Sequence, residues 1–211
     1  MTIRTRESFN FYSHLAGVIA AIAGTTYLIY SVRSSPVHVA LSIVYGFSVT
    51  LLFLASATYH ALKHNENEIS VWRKLDHIAI FFMIAGTYTP VCYVYLSGCW
   101  RWSIITVQWA LVIAGLFLKL FYLKAPRYFS TFIYLFMGWM GIMPIQKFLT
   151  TMPSVALFYL FAGGLSFTVG AILYAIKKPV FRSGFGFHEI FHLFVFLGWL
   201  FHYLLVYVAL T

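Results

Sequence analysis

Apolar residues run along this chain in long blocks, and polar ones collect in the gaps between them. Seven blocks stand out, at about 11–33, 38–62, 75–96, 101–123, 128–149, 153–176 and 187–210. Each reaches the length of roughly 20 apolar residues that a helix needs to cross a bilayer. The gaps carry the helix stoppers and most of the charges: "VRSSPVH", "KHNENEISVWRK", "SGCWR", "KAPR", "TTMP" and "KKPVFRSGFG". The longest gap, around 63–74, is too short for a soluble domain. The pattern predicts an all-α integral membrane protein, a single seven-helix bundle over 1–211.

Composition agrees with that solvent. Hydrophobic residues make up 62%, aromatics 20% and charged residues 9%, against about 25% charged in a soluble domain. Orientation follows from Lys and Arg in the short loops. The N-terminus and the second, fourth and sixth gaps hold Arg4, Arg6, Lys63, Arg73, Lys74, Lys119, Lys124, Arg127, Lys177, Lys178 and Arg182. The other side holds Arg33, Arg101 and Lys147. This bias predicts a cytoplasmic N-terminus and an outside C-terminus in the plasma membrane. It also accounts for the net charge of +9 as topology and contact with anionic head groups, with no basic domain to bind nucleic acid. The basic, then apolar start resembles a signal peptide, but its apolar run continues to about Val32, too long for a typical one. Cys92 and Cys99, near the outer end of the third span, read as two free thiols, with a disulfide between them the alternative in an oxidising compartment.

Ionisable groups are costly inside a membrane helix and need partners or a function. Here they gather at one depth. His14 lies in the first span, His60 near the end of the second, Asp76 and His77 at the start of the third, and His188 and His192 at the start of the seventh. On the predicted topology all sit in the inner leaflet. Glu66, Glu68 and His64 fall in a polar gap and are expected to be solvated.

"FHEIFH" places His188 and His192 four residues apart, so both imidazoles leave one helix face about 6 Å apart. Zinc takes imidazole and carboxylate ligands, three of them plus water at a catalytic site. The pair supplies two, and His60 is placed to be a third. Asp76 either binds the ion or holds its water. Ser56, one turn before His60, supports a ligand or bonds its own helix backbone. Glu7, Asn10 and His14 share a face of the first span, with Ser13 adjacent. That seam either supports the metal site or is the ordinary polar start of a helix. His202 is about 15 Å beyond His192 along the helix and is read as a packing or hydrogen-bonded residue. His38 faces the outer side with no partner in view.

These segments resemble the hemolysin III and progestin/adipoQ receptor family. "ESFNFYSHLAG" is similar to its E-x-x-N-x-x-[ST]-H opening, "SATYH" to its S-x-x-x-H, "KLDH" to its Asp segment, and "HEIFH" to its closing H-x-x-x-H. The short ends resemble the bacterial hemolysin III branch. The resemblance implies Zn2+ on His60, His188 and His192, Asp76 hydrogen-bonded to the zinc-bound water, Ser56 close by, and kinship with the alkaline ceramidases, which hydrolyse lipid amides.

The first expectation is therefore a zinc-dependent hydrolase of lipid amides or esters, its membrane-lipid substrate entering from the inner leaflet. The alternatives are a non-catalytic sensor with structural zinc and a pore-forming cytolysin, the latter disfavoured because no amphipathic segment is exposed. "HEIFH" also spells the H-E-x-x-H of zinc proteases, in which Glu189 would be the general base. Its place in the first helical turn equally makes it a charge stabilised by the helix dipole.

Overall fold

A computed structural model of the chain describes residues 7–63, 65, 70–121, 127–180 and 185–211. The expectations for Arg4, Arg6, His64, Glu66, Glu68, Lys124 and Arg182 lie outside the described residues. Among those described, the elements are α1 (Ser8–Ser31), α2 (Pro36–Leu62), α3 (Val71–Tyr95), α4 (Gly98–Phe121), α5 (Arg127–Trp139), a 3-10 turn (Met140–Ile142), α6 (Ile145–Thr151), α7 (Ser154–Ile176) and α8 (Phe187–Leu210). Among the described residues six helices are long and apolar enough to cross a membrane, or seven if Tyr128–Ile142 and Ile145–Thr151, bent by 54° to each other, count as one span.

Local signals set the helix starts. Ser35 accepts a hydrogen bond from the His38 backbone N–H, with Pro36 at the first helical position, where a missing N–H costs nothing. Ser70 caps α3 in the same way through the Arg73 N–H. The expected unbroken helix over 128–149 is corrected. Pro144 has no N–H to continue the ladder, so the chain turns there, and Met143 N–H closes a tighter bond to Met140 O at 3.1 Å. Broken backbone at membrane depth must find partners within the protein. Tyr88 supplies two: its hydroxyl donates to Gly138 O at 2.6 Å and accepts from Gly141 N–H at 2.8 Å. Gln108 Nε2 supplies a third, donating to Met137 O at 2.8 Å.

α3 sits centrally, against α2, α4, α5, α6 and α8, while α8 also packs on α7 and α1 and closes the ring. The polarity is that of a chain whose solvent is lipid. Ile19, Ile22, Phe47, Ile113, Phe117 and Phe158 are more than half exposed, whereas Ser42, Ser48, Gln108 and Lys119 are buried. So much exposed apolar surface needs hydrocarbon against it. Both cysteines are free, Cys92 buried and Cys99 exposed. His38 corrects another expectation, because its Nδ1 lies 2.9 Å from Leu210 O and ties α2 to the end of α8.

Candidate metal centre

Three helix ends build the site. α2 descends to His60, and α3 and α8 ascend from Asp76 and from His188 and His192. The i, i+4 step on α8 brings His192 Nε2 to 3.2 Å from His188 Nε2, and His188 Nε2 lies 3.4 Å from His60 Nε2. One nitrogen from each ring, all within 4.8 Å of one another, could hold a metal ion. The spacing can be tested against zinc. Zn–N bonds of about 2.0–2.1 Å in a tetrahedron separate ligand nitrogens by roughly 3.3 Å. The two measured edges match. Neutral rings at that distance can share a hydrogen bond through one N–H, and the same spacing lets three ring lone pairs converge on one cation, so the donor set fits a metal ion. His60 and His192 are buried, while His188 is partly exposed to the interior.

Glu7 decides the His60 tautomer. Its Oε2 accepts from His60 Nδ1 at 2.6 Å, leaving the Nε2 lone pair turned to the other histidines. Its Oε1 accepts from Lys63 Nζ at 2.6 Å. Burial alone would raise the Glu7 carboxyl, but the hydrogen bonds from His60 and Lys63 and the positive charge beside it outweigh it and hold the group at about 2. The seam of α1 thus faces the histidines. His14 lies on the His192 ring, centroids 3.8 Å apart. Asn10 Nδ2 donates to Glu189 at 3.2 Å. Ser13 turns away and bonds Asn10 O of its own helix at 3.1 Å.

Glu189 is occupied elsewhere. Its Oε2 accepts from the Gly186 N–H at 2.7 Å, the side-chain half of a capping box at the start of α8. With Asn10 on the other oxygen, both carboxylate oxygens have partners away from the ring nitrogens.

Beside the histidines opens a cavity of about 220 Å³, lined by His14, Ser56, Asp76, Tyr174, His188 and His192 among a mostly apolar wall. The Ser56 hydroxyl is within hydrogen-bonding reach of the Asp76 carboxylate rather than spent on its own helix. A second cavity of about 70 Å³ shares Tyr88, Trp139 and His202 with the first, so the space continues into the bundle. His202 hydrogen-bonds Leu160 O at 3.4 Å, away from the cluster. Buried polar atoms without partners concentrate here. Asn10 Oδ1, both His14 nitrogens and His192 Nδ1 are four of the six such atoms among the described residues. A core does not carry that cost without a reason.

Sequence reasoning missed several residues at this site. Tyr174 lies tilted against His188 with centroids 5.6 Å apart, and the Tyr134 hydroxyl lies 3.3 Å from His77 Nδ1; neither had a signal among so many aromatics. Lys119 had one, a lysine within an apolar run, and was assigned to a loop. It lies inside α4 and is 1% exposed.

The fold and site define a multi-pass membrane protein with a three-histidine centre between helix ends. Residues 2–203 match the family described as "Haemolysin-III related", and the chain belongs to it. It is 35% identical to "Hemolysin-3" of Bacillus cereus over 191 residues, 90% of this chain and 84% of that protein. It is 32% identical to "Hemolysin-3 homolog" of Bacillus subtilis (strain 168), again over 90% of this chain and 87% of the other. It is also 27% identical to "Adiponectin receptor protein" of Drosophila melanogaster, over 93% of this chain and 49% of that protein.

Proposed function

We propose that this protein is a zinc-dependent hydrolase of lipid amides or esters, with zinc on His60, His188 and His192. The observation that carries the reading is the opening of the histidine cluster, on the side of His188 and His192, into the 220 Å³ cavity that also holds Asp76. A structural zinc site is closed by protein on all sides, and a catalytic one keeps an open position. Bound there, zinc would supply Lewis acidity, polarising a carbonyl and making water a better nucleophile. Asp76 accepts the proton of the attacking water at a carboxylate oxygen and returns it to the departing nitrogen or oxygen. Ser56 donates to Asp76 and keeps it facing the cavity. Glu7 fixes the His60 ring, as a carboxylate behind a metal-binding histidine does. Apolar walls receive the chains of a membrane lipid. The positive-inside bias supports a plasma-membrane protein with its N-terminus and metal centre on the cytoplasmic side.

Glu189 supports the lipid over the peptide reading, since its oxygens cap α8 and bind Asn10. The test is hydrolysis of ceramide-type amides and fatty esters by purified protein. Asp76→Asn should keep its zinc and lose turnover by about 10²-fold or more. Equal turnover in wild type and Asp76→Asn would end the reading. Full zinc with no turnover of any lipid would favour the structural-zinc sensor.

A further inference from the structure

The two cavities join through a neck. Six residues line both: Thr87 and Tyr88 of α3, Gly138 and Trp139 of α5, Gly164 of α7 and His202 of α8. The polar side chains of this ring already have protein partners. Thr87 Oγ1 donates to Met83 O at 2.8 Å, and the Tyr88 hydroxyl pairs with Gly138 O and Gly141 N–H. Trp139 Nε1 donates to Thr168 Oγ1 at 3.0 Å, and His202 bonds Leu160 O. Groups so occupied gain nothing from a polar ligand, so the neck suits hydrocarbon and not a head group. Beyond it the second cavity follows the broken span and is walled by Val91, Ile142, Ile145, Phe148 and Leu205.

Gly164 keeps the neck wide. Gly164, Phe167, Thr168, Ala171 and Tyr174 recur every three or four residues and all line the first cavity. One face of α7 is therefore turned to it, and a side chain at 164 would enter the space. A Cβ on Gly164 would meet nothing within 4 Å. The same holds for Gly138, which follows Thr131, Tyr134 and Leu135 on the cavity face of α5. Gly163 differs, because a Cβ there would strike the His202 ring, so close packing accounts for it. Packing accounts for neither Gly138 nor Gly164, and each weakens its helix relative to alanine. What they leave is width.

The dimensions set a chain length. The first cavity runs from His192 to His202, about 15 Å along α8. Carbon–carbon bonds of about 1.5 Å advance a zigzag chain by somewhat less than that each, so about 12 carbons reach from the metal centre to the neck. From Thr87 to Val91 the second cavity adds about 6 Å along α3, room for roughly 4 carbons more.

We propose that Gly164 and Gly138 determine acyl-chain length: they hold open the neck through which the chain of a bound lipid passes into the second cavity, so that the protein takes straight chains of about 16 carbons where a closed neck would stop them at about 12. The proposal rests on the reading of the cavity as a lipid site and adds the chain length and the residues that set it.

Binding, which needs no turnover, tests it. Full-length protein is held in a steroid-based detergent, which has no straight alkyl chain to compete. It is titrated with decanol and hexadecanol and read by native mass spectrometry and thermal shift. Wild type should bind both. Gly164→Leu should still bind decanol but should bind hexadecanol more weakly by about tenfold or more, because about four methylenes lose their apolar wall, each a factor of up to about 4. Gly138→Leu, reaching the neck from α5, should shift the preference the same way. Without alcohol, Gly164→Leu should melt no lower than wild type, since its side chain enters open space and replaces a helix-weakening glycine. A lower melting temperature would mean that position 164 faces packed protein and would overturn the proposal. A hexadecanol-to-decanol affinity ratio that is the same in wild type and both variants would overturn it too. So would equal losses of both alcohols, the mark of a collapsed cavity, or a wild type that binds decanol alone. If wild type binds neither alcohol, the reading of the cavity as a lipid site ends and the neck with it. A ratio that shifts in the variants of a protein that hydrolyses nothing would sustain the neck while the hydrolase reading failed.

Discussion

Replacing Glu7 with Gln tests the link between the α1 seam and the metal centre. The carboxylate meets two donors, His60 Nδ1–H and Lys63 Nζ, each at 2.6 Å. Gln has the same size but only one acceptor oxygen. Whichever way the amide turns, its NH2 confronts either the ring N–H or the ammonium, so one of the two contacts becomes donor against donor. The lost negative charge also makes His60 a poorer ligand. A change behind a metal-binding histidine costs about 10- to 100-fold in metal affinity, or roughly 1.4–2.7 kcal/mol. The Glu7 side chain is only 13% exposed, so solvent screening takes little from this figure. Competition against a chromophoric chelator at neutral pH measures it directly. The sign with pH is fixed by the depressed carboxyl. Its contribution is present above the ordinary 4.5 and is lost as pH falls toward about 2. The ligand imidazoles must be neutral to bind, so acid should strip the metal while Glu7 is still charged. Affinities equal within about twofold, where the same assay resolves a His60→Ala loss, would refute the role of Glu7.

Elemental analysis should find one zinc per chain, strongly reduced in His60→Ala, His188→Ala and His192→Ala and unchanged in His202→Ala, with release on acidification because the ligands must be neutral. Glu189→Gln should lower the melting temperature through loss of part of the α8 cap, about 0.5–2 kcal/mol, while turnover in the lipid assay stays near wild type; abolished turnover would revive Glu189 as general base. Tyr88→Phe should destabilise the bundle by about 1–3 kcal/mol, because Gly138 O and Gly141 N–H lose their shared partner at the helix break, as thermal unfolding in detergent would show.

The membrane-spanning helices and the gathering of His60, Asp76, His188 and His192 in one place were legible in the residues alone. Apolar run length reports the solvent and the crossing distance directly, and two histidines four apart on any helix share a face. The family resemblance rested on the same short motifs. What the chain could not disclose was which way side chains face within the bundle. A soluble helix marks its buried face with an apolar stripe, but a helix in lipid is apolar all round, so no periodicity separates inside from outside. Lys119 therefore looked like a loop residue until packing turned it inward. The α1 seam looked like either a helix start or a support until α1 closed on α2 and α8 and put Glu7 on His60 and His14 on His192. Pro90 and Pro144 read alike as letters, yet α3 continues through one and the chain breaks at the other. The break at Pro144 is sustained by Tyr88 and Gln108, whose partners lie 29 to 53 residues away. Bonds between residues so far apart in sequence leave no local pattern, and they exist only once the helices have packed.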